Sequence, residues 1–185
     1  VFFKAFLFLI FSSKVFFSIG FAGILYVPDE YSTIQAGIDA SFNGDTVLVN
    51  QGIYYENPKI TRSITLASNA LFDDLSEWAE FDDQIFWQWQ VENEHIANTI
   101  IDGSSDINGE DFQSVLFINT PPDGGCATPV IQGFTITGGN GTKVNENEYR
   151  GGGFLSNHAK PTFNYNLITY NYGDIYSGGG GGLLT

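Results

Sequence analysis

The sequence has no methionine and a single cysteine, Cys126. One cysteine excludes an internal disulfide framework, and Cys126 reads as a small buried hydrophobe in a turn. Positive charge is also scarce: seven Lys and Arg face 21 Asp and Glu, a formal net charge of −14. Between residues 63 and 142 there is no Lys or Arg against 13 carboxylates. That excludes nucleic acid as a partner, because phosphate backbones are bound by clustered basic side chains. The glycine runs are not phosphate loops, since no Lys-Ser or Lys-Thr and no helix follows them. They serve tight turns and close stacking. His95 and His158 stand alone, without a second ligand at helical or turn spacing, and read as surface or turn residues.

What is present begins with a secretory pattern. Lys4 precedes an apolar stretch from Ala5 to Phe11, a second stretch runs from Val15 to Phe21, and Gly20 and Ala22 are small residues before a cut. Residues 1–22 are therefore expected to be a signal peptide and 23–185 the folded domain. Lys14 interrupts the apolar run, which argues against a standard membrane span, and none is expected once the signal is removed. Removal takes two lysines and no acid, leaving five basic residues against 21 acidic ones. An exported, strongly acidic monomer is the expectation. The absence of Met at position 1 and a glycine run restarting near Thr185 predict an N-terminal piece of a longer protein.

The C-terminal third repeats itself. Pro129-Val130-Ile131-Gln132-Gly133-Phe134-Thr135-Ile136 aligns with Pro161-Thr162-Phe163-Asn164-Tyr165-Asn166-Leu167-Ile168 at an offset of 32, and Gly151-Gly152-Gly153-Phe154-Leu155 reappears as Gly180-Gly181-Gly182-Leu183-Leu184 at an offset of 29. Units of this length coil, each stacking on the last, because one alone cannot bury its apolar face. β-branched and aromatic runs without helical period make them strands. Earlier, Ile24–Val27 reads as a strand, and Ile34 and Ile38 mark a helix over residues 32–41 that Ser32 or Thr33 can cap. Uncharged Thr46-Val47-Leu48-Val49 is a buried strand, and strands without further helices follow. A helix at that position would cover the open end of a stack of strands.

Ser32-Thr33-Ile34-Gln35-Ala36-Gly37-Ile38-Asp39-Ala40, Gly44-Asp45-Thr46-Val47-Leu48-Val49 and Gly52-Ile53-Tyr54-Tyr55-Glu56-Asn57 together resemble the opening of the pectin-lyase-like right-handed parallel β-helix proteins. Asn98-Thr99-Ile100-Ile101-Asp102-Gly103 resembles a later rung, and Gly151 to Leu155 with Pro161-Thr162-Phe163-Asn164 and Asn171 resembles their repeat. The resemblance implies an all-β right-handed parallel β-helix, a solenoid with a short N-terminal capping helix. Gly152-Gly153-Phe154-Leu155 with Phe163-Asn164-Tyr165-Asn166 is also similar to the repeats of bacterial polymorphic outer-membrane proteins, without their regular spacing. The lyase activity of the first group carries over to no residue: Lys59, Arg62, Lys143, Arg150 and Lys160 form no cluster with an acidic triad. Pectin methylesterase- and polygalacturonase-type motifs are absent too.

Two segments depart from the repeat, residues 69–97 and, more briefly, 140–150. In repeat folds such insertions gather on a face that often binds. The first holds Asp73, Asp74, Asp82 and Asp83, with Glu77 and Glu80 between them. Hard carboxylate oxygens could take Ca²⁺, two carboxyls could flank a glycosidic bond, or the run could be a solvated loop. Calcium is the one cofactor these residues suggest. Trp87 and Trp89, two apart on an extended strand, share a face and could form a flat platform for a sugar ring or pack on the flank. Trp78 is grouped with them as a contact residue. Asn157, Asn164, Asn166 and Asn171 could stack as side-chain amide ladders. The expected function is an exported, non-catalytic module displaying its insertion to a polysaccharide or cell-surface partner. The alternatives are a polysaccharide-degrading enzyme, hydrolase rather than lyase, and a passenger segment of a surface adhesin.

Overall fold

The computed structural model describes residues 22–82, 88–104, 113–121, 125–145, 148–173 and 182–184. Residues 1–21 of the expected signal lie outside these, as do Asp83 and Trp87. The chain is β-rich. It opens with β1 (Ile24–Val27) and helix α1 (Ile34–Ala40), followed by β2 (Thr46–Val49), β3 (Gly52–Tyr55) and β4 (Lys59–Ile60). Next come β5 (Thr65–Ser68), a 3-10 turn (Asn69–Phe72), β6 (Ala79–Asp82), β7 (Gln88–Val91), helix α2 (Glu94–Asn98), β8 (Thr99–Asp102) and β9 (Leu116–Asn119). The third series is β10 (Val130–Gln132), β11 (Thr135–Thr137), β12 (Thr142–Asn145), β13 (Glu148–Arg150) and β14 (Phe154–Asn157). β15 (Thr162–Asn164), β16 (Asn166–Ile168) and β17 (Gly182–Leu184) close the described chain.

Three sheets organise these strands, in the orders β1-β2-β5-β10-β15, β3-β8-β11-β16-β17 and β4-β9-β14. Apart from the contact with β17, every pairing within them is parallel. From β2 to β14, leaving aside the hairpins β6–β7 and β12–β13, the chain visits the first, second and third sheets in that order three times, and each strand from β5 pairs with its counterpart from the pass before. Without an insertion the return is short: Ile24 faces Thr46 and Thr46 faces Thr65. The offset of 32 read from the sequence is also the offset of the pairing, with Ile131 beside Phe163 and Thr135 beside Leu167.

Alternation along the strands explains the core. Val47, Val49, Leu66 and Ile131 from the first sheet meet Ile101 and Ile136 from the second and Ile60, Leu116 and Ile118 from the third in one buried cluster. Thr33 caps α1 by accepting the Ala36 N–H at 3.1 Å, and Ile34 and Ile38 are buried in the same cluster. A side chain at Gly37 would come within 3.1 Å of Val27 and Val47, so glycine sets how closely α1 lies on the first two strands. Burying each of the two isoleucines contributes about 1.5–3 kcal/mol.

The corners between sheets are built on asparagine. Asn166 donates to Ile131 O and Asn164 O, both at 2.9 Å, and accepts the Phe134 N–H at 3.0 Å. Asn171 repeats the pattern at the same offsets, donating to Ile136 O and Thr169 O and accepting the Gly139 N–H at 2.9 Å. The residue before each asparagine, Tyr165 or Tyr170, has φ 52°, and their counterparts one pass earlier are Gly133 and Gly138 at φ 82° and 78°. Asn166 and Asn171 thus bind backbone of the preceding pass, which corrects the expected amide ladder. Stacked amides do occur between Asn157 and Asn119 (3.2 Å) and between Asn69 and Asn50 (3.0 Å).

Three further expectations change. Helices recur after α1, as α2 and the 3-10 turn; both are single turns, too short to show an apolar period. The restart of the glycine pattern does not begin a new parallel strand: Gly182–Leu184 pairs antiparallel with Asn166–Ile168 and covers that edge of the second sheet. Cys126 is exposed rather than buried, because it sits beside the isolated bridge of Ala127 with Ala159 and not on a core-facing strand position.

Candidate functional site

The segment between β5 and β8 runs from Asn69 to Asn98 and forms a small unit of its own. Ser68 caps the 3-10 turn by accepting from Ala70 N at 3.2 Å, and Asn93 caps α2 by accepting from Ile96 N at 3.0 Å. Asp73, which ends the first, reaches the start of the second. Its Oδ2 accepts from Asn93 Nδ2 at 2.8 Å and lies 2.7 Å from His95 Nδ1. These bonds, His95 first and Asn93 next, hold the Asp73 carboxyl below the usual carboxylate range. His95 therefore has a partner, contrary to its reading as a lone residue. Nothing short of folding announces a pair 22 positions apart.

From this neck the antiparallel hairpin β6–β7 projects, pairing Ala79 with Val91, Glu80 with Gln90 and Phe81 with Trp89. Alternation puts Ala79, Phe81, Trp89 and Val91 on one face. Ala79 and Val91, at its base, pack on a satellite core of Ala70, Trp78 and Ile96. Phe81 and Trp89, further out, are 42% and 48% exposed, with ring centroids 5.4 Å apart and planes tilted by 59°.

Trp78 belongs to the anchor, which corrects its grouping with the contact residues. It is 7% exposed and meets Tyr165 edge-on at 5.8 Å, binding the insertion to the corner before Asn166. The three calcium candidates among the described residues sit at different places along the insertion, and Asp83 lies outside those residues. Asp73 is in the neck, Asp74 accepts from Ser76 N at 3.0 Å in its own turn, and Asp82 lies at the outer end of β6. Ser76 lowers the Asp74 carboxyl. Among the described residues no group of three His, Cys, Asp or Glu is placed to hold a metal ion. His158 sits in a turn at φ 52°, as a turn residue would.

A groove beside α1 has no signal of its own in the sequence. Its volume is about 530 Å³, and it is lined by Thr33, Gln35, Asp39, Glu56, Lys59 and Thr61, with Asn57 completing it. Both Glu56 oxygens are engaged, accepting from Ile34 N and Gln35 N at 3.0 Å. Gln35 accepts from Lys59 N at 2.7 Å and donates to Asp39 Oδ1 at 2.8 Å and Lys59 O at 3.3 Å. Asn57 Nδ2 donates to Ser114 O at 3.1 Å and Gly103 O at 3.4 Å. The i, i+4 spacing of Gln35 and Asp39 was visible beforehand; their closeness to Glu56 and Lys59 depends on how the chain returns.

No family model matches the chain, and neither a curated protein nor a solved structure matches it. Among the described residues, no helix is long and apolar enough to cross a membrane.

Proposed function

We propose that the chain is an exported right-handed parallel β-helix with a non-catalytic role, presenting the β6–β7 hairpin to a polysaccharide or a cell-surface partner. The observation that carries this reading is the exposed Phe81–Trp89 pair. The hairpin is already anchored by Trp78, Ala79, Val91 and Ile96. Two further rings held in solvent are surplus to that anchorage and suit the apolar face of a sugar or a partner's side chain. The repeated order of visits to three largely parallel sheets supports the solenoid. Its right hand follows from the handedness of parallel crossovers, about 98% of which turn that way. Helix α1 then serves as its N-terminal cap.

A hydrolase would need two carboxyls free to hold and transfer a proton. Asp73 accepts two bonds in the neck, and both Glu56 oxygens cap a helix. These two carboxyls are therefore not free for that role. The acidic surface also favours a neutral polymer over a polyuronate. The test is binding to neutral and acidic polysaccharides, with and without Ca²⁺, alongside an assay for new reducing ends and unsaturated products. Binding without cleavage is expected, weakened about tenfold, or 1.4 kcal/mol, by Phe81→Ala or Trp89→Ala. Cleavage of any substrate, or binding indifferent to both substitutions, would overturn the proposal.

A further inference from the structure

The groove beside α1 lies on the first pass of the chain, on elements other than the hairpin. The residues lining it are all of polar type, but their aliphatic carbons form much of its surface, so it suits a ligand that carries both polar groups and apolar faces. Its charge disfavours an anion: Asp39 and Glu56 outweigh Lys59 on a chain whose formal charge is already −14. A hard cation needs several free carboxylate oxygens. Here both Glu56 oxygens and Asp39 Oδ1 are already bonded, to the amides of Ile34 and Gln35 and to the Gln35 side chain. Arg62 turns its guanidinium to the carbonyls of Asp39 and Ser41 and does not alter that balance.

What remains is a neutral ligand that both donates and accepts hydrogen bonds. Among the described residues, the Lys59 ammonium, Asp39 Oδ2, Asn57 Oδ1 and the Thr61 hydroxyl make no hydrogen bond. They offer donors and acceptors around one groove, as a ligand bearing hydroxyls requires. The backbone beneath them is held by hydrogen bonds. Gln35 is tied to both backbone polar groups of Lys59, Glu56 to the first turn of α1, and Asn57 to two carbonyls. Such pre-organisation reduces the ordering cost of binding. A volume of about 530 Å³ falls within the range of small-molecule sites.

We infer that this groove is a binding subsite for a neutral saccharide, with the Lys59 ammonium and Asp39 Oδ2 engaging neighbouring hydroxyls. The inference stands independently of the hairpin. The test is isothermal titration of the intact chain with glucose, galactose, mannose, xylose and their disaccharides, and with galacturonate as the charged control. Binding of at least one neutral sugar is expected, weakened tenfold or more by Lys59→Ala and by Asp39→Asn. The Lys59 contacts that support the fold are made by its backbone, so Lys59→Ala should retain the wild-type melting temperature. Loss of binding with Lys59→Ala and Asp39→Asn marks the groove, and loss with Phe81→Ala or Trp89→Ala marks the hairpin, so either reading can fail while the other stands. Absence of neutral-sugar binding would overturn the inference. So would affinity indifferent to Lys59→Ala, or a preference for galacturonate.

Discussion

Replacing Asn166 with alanine tests the corner construction directly. Its side chain is fully buried and makes three hydrogen bonds to backbone: two donated to carbonyls and one accepted from the Phe134 N–H. Alanine removes all three and leaves groups with no water nearby. Each buried group left unsatisfied costs about 1–3 kcal/mol, and relaxation recovers part of the sum. A loss of about 4 kcal/mol follows, a large share of the roughly 5–15 kcal/mol that holds a domain folded. Asn171→Ala deletes an equivalent set of bonds at a side chain 7% exposed, where water can enter, so it should cost about half as much. Asn166→Asp separates donor from acceptor. The carboxylate can still accept from Phe134 but faces two carbonyls, so at neutral pH it should be no more stable than alanine. Below its raised pKa the protonated acid can donate again, and its deficit relative to wild type should shrink. Urea unfolding followed by tryptophan fluorescence reads each difference from midpoint and slope. An Asn166→Ala loss under about 1 kcal/mol, with unchanged slope, would refute the reasoning.

The left-handed corner at Tyr170 makes a smaller, signed prediction. Its side chain is 74% exposed at φ 52°, so Tyr170→Val should destabilise by about 1 kcal/mol, while Tyr170→Gly should be neutral or slightly stabilising in the same assay. Acid stability should follow Asp45 and Asp73. Both carboxyls are lowered, Asp45 first by the amide of Gly23 and then by that of Phe42, Asp73 first by His95. A lowered folded-state pKa contributes stability that is complete above the unfolded value and lost as pH falls through the folded one. Melting temperature should therefore drop below about pH 4, and Asp45→Asn and Asp73→Asn should each flatten that drop. An unchanged acid slope in both variants would remove these carboxylates from the account.

Much of the architecture was legible because stacked strands need repetition. The offset of 32 between Pro129 and Pro161 had to reappear as strand register, since equivalent residues of successive passes lie side by side. The uncharged run Thr46–Val49 had to be covered on both faces, and it is. Asn166 and Asn171 recur visibly in the sequence, but their partners are backbone groups rather than neighbouring amides. Asparagine in a strand-rich repeat suggests a neighbouring amide, whereas a corner leaves backbone N–H and C=O groups that no ladder satisfies. The positive φ at Tyr165 and Tyr170 was hidden for the same reason. Only their glycine counterparts, Gly133 and Gly138, carry a sequence signal for that conformation.

The candidate sites were less legible because they depend on which positions the insertions and turns bring together. Asp73 and Asp82 are close in sequence, yet they lie in different parts of the insertion. Asp73 ends in the neck with His95, and Asp82 lies at the outer end of β6. The tryptophans were separated by depth rather than by residue type. Trp78 precedes the hairpin and is drawn into its base, while Trp89 lies opposite Phe81 and stays in solvent. The groove offered least of all to a linear reading. Its residues are ordinary surface types, and Gln35 and Asp39 meet Glu56 and Lys59 only because the chain returns beneath α1 after β3. Repetition can be read along a chain, but a site formed where one pass crosses another has no pattern until the passes are stacked.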